Sequence, residues 1–134
     1  MSWISVLDNP EGILRIYRNS PPSLRGVRIR EFSMSRSGPT MRLLIGLSKF
    51  PDNPPMKWWR EGFNRVLLDL HFVEVDDFSF TRFSPVSFCD FEMSKEGTVR
   101  FSAKSDSMDL HGVAYAAYVA RISAYADTST QRSP

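Results

Sequence analysis

Two histidines, one cysteine and two close acid pairs are the residues whose types could do chemistry in this chain. His71 and His111 lie far apart. Neither has the His-x-x-x-His spacing of a helical zinc site, a second cysteine or an Asp-rich calcium loop beside it. Polar positions on the outer faces of strands are the better reading for both. Cys89 could act as a nucleophile with either histidine as its base. It stands within an alternating apolar segment, however, where a lone cysteine serves as a small hydrophobe. Asp90 and Glu92 have the i, i+2 spacing that sets two carboxylates on one face of a strand, as glycosidases and divalent-cation sites use. A solvated sheet face produces the same pair without any chemistry. Asp76 and Asp77 read as a turn or an exposed edge. The sequence holds no glycine-rich phosphate loop and no serine-centred elbow. It therefore offers no positive reason to expect an enzyme, a cofactor or a metal.

The elements that would position these residues follow from periodicity. Trp3 to Tyr17 predicts a helix, with Asn9 as N-cap, Pro10 at the first helical position and Glu11 in the first turn. Pro21 and Pro22 bring it to an end. From Val27 the period becomes two, and the apolar set passes from Val27 and Ile29 to Phe32 and Met34. That change of parity predicts a bulge near Arg30 and Glu31. Beyond a turn at Ser37-Gly38-Pro39, Met41, Leu43, Ile45 and Leu47 share one face and predict the second strand of a hairpin. Val66, Leu68, Leu70 and Phe72 alternate next, and Phe78 and Phe80 follow the acid pair. A strand over Val86 to Ser94 turns at Lys95-Glu96-Gly97 into Val99, Phe101 and Ala103, and Ser105 to Ser107 turns the chain again. Ala114 to Ala126 fits two periods. Its alanines, with Tyr115, Tyr118, Val119 and Ile122, place helix ahead, while Met108, Leu110, Ala114, Ala116, Tyr118, Ala120 and Ile122 also fit a strand.

The fold class expected is α+β and mostly antiparallel β. A short N-terminal helix packs on a curved antiparallel meander, closed as a sandwich or a partly open barrel. Residues 1–127 form a single globular domain, and 128–134 a frayed polar tail. Ten phenylalanines, four tyrosines and three tryptophans in 134 residues suit a pleated, well-filled core.

The most specific local feature is the connector LSKFPDNPPMKWWREGFN, from Leu47 to Asn64. Pro51, Pro54 and Pro55 stiffen it beyond the needs of a hairpin. Phe50 and one of Trp58 and Trp59 are expected to plug the end of the sheet. The other tryptophan, flanked by Lys57 and Arg60, would stand out as an anchor, because neighbours on an extended segment face opposite ways.

Charge and cysteine usage narrow the partner. Seventeen basic residues against fifteen acidic ones leave a formal charge of +2, too near balance for a general nucleic-acid or anionic-membrane binder. No apolar run approaches the roughly 20 residues of a transmembrane helix. The N-terminal MSWISVLDNPEG lacks the pattern of a signal peptide, and a single cysteine suits a reducing compartment. A cytoplasmic protein is expected.

Three blocks, SWISVLDNPEGILRIYRNSPPSLRGVRI, FPDNPPMKWWREGFNRVLLDLHF and VARISAY, lie in order along the chain and resemble the immunity protein 50 family of bacterial polymorphic toxin systems. The resemblance implies a small, mostly β protein whose gene lies beside that of a toxin. Such a protein shields its own cell by binding the toxin, without catalytic residues. The resemblance also implies two closing strands, Met108 to Val113 and Ala117 to Ile122, ahead of Tyr125, against the helix favoured above. Trp58, Trp59, Arg60, Asp76 and Asp77 are then the toxin-binding candidates. Occupancy by a surface of about 800 Å² suffices to inhibit. The +2 charge argues against nucleic-acid mimicry, although Asp69, Asp76, Asp77, Asp90 and Glu92 could form a local acidic patch. The alternative is a small-molecule carrier, its apolar cavity lined by Phe72, Phe78, Phe80, Phe88 and Phe101.

Overall fold

The structure, a computed structural model, describes residues 3–82, 88–106 and 108–127. Period-two alternation becomes eight strands: β1 (Val27–Ser35), β2 (Thr40–Gly46), β3 (Arg65–Val73), β4 (Asp76–Thr81), β5 (Phe88–Glu96), β6 (Thr98–Ser105), β7 (Met108–Ala114) and β8 (Ala116–Tyr125). They form one antiparallel sheet in the order β4-β7-β6-β5-β1-β2-β3-β8. Links of one or two residues join the far ends of that order, β3 to β4 through Glu74 and Val75, and β7 to β8 through Tyr115. Strands sit about 4.8 Å apart, so such links cannot cross a flat sheet of eight. The sheet therefore curls to bring these two short links together, and the Tyr115 amide donates to the Val73 carbonyl between them, 2.9 Å away.

Both halves of the curl share one core. Phe72 of β3 lies 4.4 Å, ring to ring, from Phe101 of β6 and 6.2 Å from Phe91 of β5. Met41, Leu43, Ile45, Val66, Leu68, Leu70 and Phe72 are all fully buried, as their alternation requires. The expected bulge is present: pairing passes from Ile29 opposite Ile45 to Glu31 opposite Leu44 and leaves Arg30 out. Phe32 thereby turns back to pack on Phe78 and Phe80 of β4. The carrier's five phenylalanines do not line one cavity. Phe72 packs on Phe101, Phe78 and Phe80 join Phe32, and Phe88 is exposed.

Three local expectations are corrected. The helix over Trp3 to Tyr17 is divided into a 3-10 turn, Trp3–Val6, and α1 (Glu11–Ile16). Between them Leu7 forms a parallel bridge with Ala117, and the Asp8 amide donates to the Ala117 carbonyl at 2.9 Å. Asn9 does not cap α1. Its amide group donates to the Val119 carbonyl and its side-chain oxygen accepts from the Val119 amide, both at 2.8 Å. The segment thus covers the outer edge of β8, satisfying backbone groups that an exposed edge would leave open to aggregation.

The stretch from Ala114 to Ala126 is not helix: Ala114 ends β7, Tyr115 is the link, and Ala116–Tyr125 is β8. A bulge explains the misleading pattern. Leu70 pairs with Val119 but Asp69 pairs with Arg121, leaving Ala120 out of the ladder. The core-facing set becomes Ala117, Val119, Ile122 and Ala124, and the step of three imitates a helical period. The closing strands implied by the family resemblance, Met108 to Val113 and Ala117 to Ile122, fall within β7 and β8, and β8 runs on to include Tyr125. In the connector, residues expected to be extended form a short helix, α2 (Met56–Arg60). Val86, Ser87, Ser107 and the tail 128–134 lie outside the described residues.

Candidate functional site

Proline supplies the entry to α2 and glycine its exit. Pro55 is extended at φ −52° and ψ 143°, and its carbonyl accepts from the Trp58 and Trp59 amides at 3.0 and 3.2 Å. Gly62, at φ +72°, closes a Schellman turn in which the Phe63 amide donates to the Trp58 carbonyl and the Gly62 amide to that of Trp59. A short helix is thereby fixed at both ends. Trp58 is half-buried against Phe50, ring centroids 6.1 Å apart, whereas Trp59 is 72% exposed and Met56 62%. Met56 and Trp59, three apart, occupy one helical face, and Arg60 is exposed beside them. One tryptophan packs inward and one stands outward, with a helical rather than an extended backbone as the cause.

Asp76 and Asp77 are exposed on β4, an edge strand. The pairing of β4 with β7 slips between Asp76 and Ser79. Asp77 takes φ +50°, with its amide donating to Asp76 Oδ1 at 2.9 Å. α2 leads into the start of β3 and the acid pair follows its end. Nine strand residues, or about 30 Å, lie between them. The five predicted residues thus form two separate places.

Asp77 lines a cleft of about 810 Å³ with Asp90, Glu92, Arg25, Arg100 and His111, walled by Trp3 and the Pro21–Leu24 segment. Asp90 and Glu92 share a strand face, as their spacing requires. Asp90 has a structural partner: its Oδ1 accepts from the Gly26 amide at 2.9 Å. Glu92, Ser102 and His111 are successive neighbours across β5, β6 and β7. This mixture of both charges with hydroxyl and imidazole suits a polar segment of a macromolecule better than an apolar ligand.

The other chemistry-bearing residues have structural roles. Burial, reinforced by the negative charge of Asp90, pushes the Cys89 thiol up to about 11, so it remains protonated and packs as an apolar group. His71 Nδ1 lies 3.1 Å from the Tyr118 hydroxyl and its Nε2 3.1 Å from Asp69 Oδ1. Both Asp69 oxygens accept from Arg42, at 2.9 and 3.1 Å. Those bonds, ahead of the carboxylate's charge, raise the pKa of the Arg42 guanidinium above its ordinary value. Asp69 therefore contributes no uncompensated charge to an acidic patch. Among the described residues no group of three or more His, Cys, Asp or Glu could hold a metal ion, and no helix is long and apolar enough to cross a membrane.

The sequence pattern of the immunity protein 50 family matches residues 9–125. The chain belongs to that family. No curated protein and no solved structure matches it. In this immunity protein 50 chain the match starts at Asn9, which clamps the edge of β8, and ends at Tyr125, the last residue of that strand. Membership implies a protein partner, a toxin in general terms. Sequence reasoning passed over Met56 and placed Phe88 in a carrier's cavity, whereas both are exposed apolar residues that suit such a partner. Met56 required knowing that the connector is helical, and Phe88, 52% exposed, required knowing which face of β5 is solvated.

Proposed function

We propose that this protein binds and neutralises a cognate polymorphic toxin encoded by a neighbouring gene, acting in the cytoplasm by steric occlusion and performing no chemistry of its own. The observation that carries this reading is Trp59, held outward on a proline- and glycine-bounded helix, in a chain that belongs to an immunity protein family. A rigid exposed tryptophan is the kind of residue that dominates protein interfaces, because burying it removes much apolar area at little entropic cost. Trp59 is the central anchor, with Met56 and Arg60 around it and Trp58 fixing the platform from beneath. Asp76 and Asp77 form a second contact at the other end of β3, beside the cleft.

Expressing the neighbouring toxin gene in a susceptible host, with and without this protein, tests the reading. Growth restored only in its presence is expected. Equal toxicity in both cultures refutes it.

A further inference from the structure

The outward face where β1, β2, β3 and β8 meet carries an arginine cluster that no family property assigns. Arg28 is set above the ring of Phe88, 5.8 Å from its centroid, and Arg30 above that of Tyr125 at 4.8 Å. The β1 bulge is what brings Arg30 there, since it leaves the ladder and stands exposed. Tyr125 reaches from β8 across β3, so that its hydroxyl lies over Gly46 of β2. A Cβ at Gly46 would come 3.2 Å from the Tyr125 hydroxyl oxygen and 3.7 Å from Arg30 Cδ. Arg30 Nη1 donates to that hydroxyl at 3.4 Å. Arg28 and Arg65 both stand 3.9 Å from Asp127 Oδ2. The guanidinium groups of Arg28 and Arg65 thus share one carboxylate, while that of Arg30 lies on Tyr125, the cross-strand partner of Arg65.

We propose that this face receives acidic side chains of the toxin. The inference rests on the functional reading above and names the chemistry of the contact. Guanidinium groups laid over aromatic rings keep their in-plane N–H donors for bidentate carboxylate contacts and have little rotamer freedom left to lose. The cluster also adjoins α2. Asn64, just past that helix, donates from its amide to the Tyr125 carbonyl and holds both backbone groups of Asp127. Trp59 and the arginines therefore stand at the same end of the sheet, and together they have the aromatic and arginine composition of an interface hot spot. A nucleic acid would call for a longer basic track matching successive phosphates.

The test measures binding of the neighbouring gene's toxin domain to the full chain by titration calorimetry. Arg30→Glu and Arg65→Glu should each weaken binding by about tenfold or more, with the loss reduced at high salt, while Lys95→Glu near the end of β5 leaves it unchanged. Affinities of both arginine variants within about twofold of the unsubstituted chain would overturn the inference and leave the functional reading intact, as would equal weakening by Lys95→Glu. A toxin domain that the unsubstituted chain does not bind overturns both. A single-stranded oligonucleotide serves as a second probe, and binding of it that Arg30→Glu abolishes would replace the protein partner with a nucleic acid.

Discussion

Substituting the two adjacent tryptophans one at a time separates folding from recognition. Trp59 is 72% exposed, so about 180 Å² of the roughly 250 Å² that such a side chain can bury is available to a partner. At about 25 cal/mol per Å², full coverage is worth about 4.5 kcal/mol, and coverage of half that area about 2 kcal/mol. Trp59→Ala should therefore weaken toxin binding by about 30- to 2,000-fold. It should change stability by no more than about 0.5 kcal/mol, because the side chain has little to lose in the isolated protein. Trp58→Ala should do the reverse. Removing a half-buried ring from Phe50 costs about 2 kcal/mol of stability and lowers the melting temperature by several degrees. Binding should fall only as far as α2 loosens. Calorimetric titration with the toxin domain and urea unfolding of both variants supply the four numbers. Unchanged binding by Trp59→Ala would refute the assignment of α2 as the anchor, and equal stability loss in the two variants would refute the inward and outward division of the pair.

Three further outcomes follow from the packing. Gly112→Ala would place a methyl group 2.7 Å from Phe101 Cζ and 3.3 Å from Phe78 Cδ1, so it should destabilise by about 1–3 kcal/mol, seen as a lower urea midpoint. Asn9→Ala strips both partners from Val119 and should cost about 1–3 kcal/mol, with faster hydrogen exchange at the Val119 amide as the local signature. The Cys89 thiol should react with a disulfide reagent at pH 8 only after unfolding. Because its folded value lies at about 11, above the ordinary 9.0, stability should be insensitive to this group below pH 9 and decline as pH rises from there towards 11. Titration of native protein by the reagent at pH 8, or a flat stability profile from pH 9 to 11, contradicts that placement.

Strands with one buried face and no irregularity were legible throughout. Met41, Leu43 and Ile45, and then Val66 to Phe72, alternate because each second side chain must enter the core. The β1 bulge was legible for the same reason, since apolar residues on both sides of Arg30 expose the change in parity. In β8 an equivalent bulge was not, because alanine carries too little hydrophobic signal to fix a parity and its propensity favours helix. Within the candidate site, the proline-bounded tryptophans were visible as a motif. Asp77 was visible as a charge at a turn or an exposed edge. Its place in a cleft beside Asp90 and Glu92 depends on β4, β7, β6 and β5 being neighbours.

Local covalent and hydrophobic patterning sufficed to determine an antiparallel β chain, its main turns and a stiff aromatic connector, because each follows from the residues on either side of it. The blocks of landmark residues carried the family as well. Tertiary structure alone decided where charges accumulate. A net charge of +2 is a sum over the chain and says nothing of position. Curling the sheet puts Asp77, Asp90 and Glu92 in one cleft, uses Asp69 to hold Arg42, sets Arg28 and Arg30 over two aromatic rings, and brings Arg28 and Arg65 to the same Asp127 carboxylate. Residues as far apart as Asn9 and Val119, 110 positions along the chain, become neighbours at the edge of the sheet, a spatial relation that no window along the sequence contains.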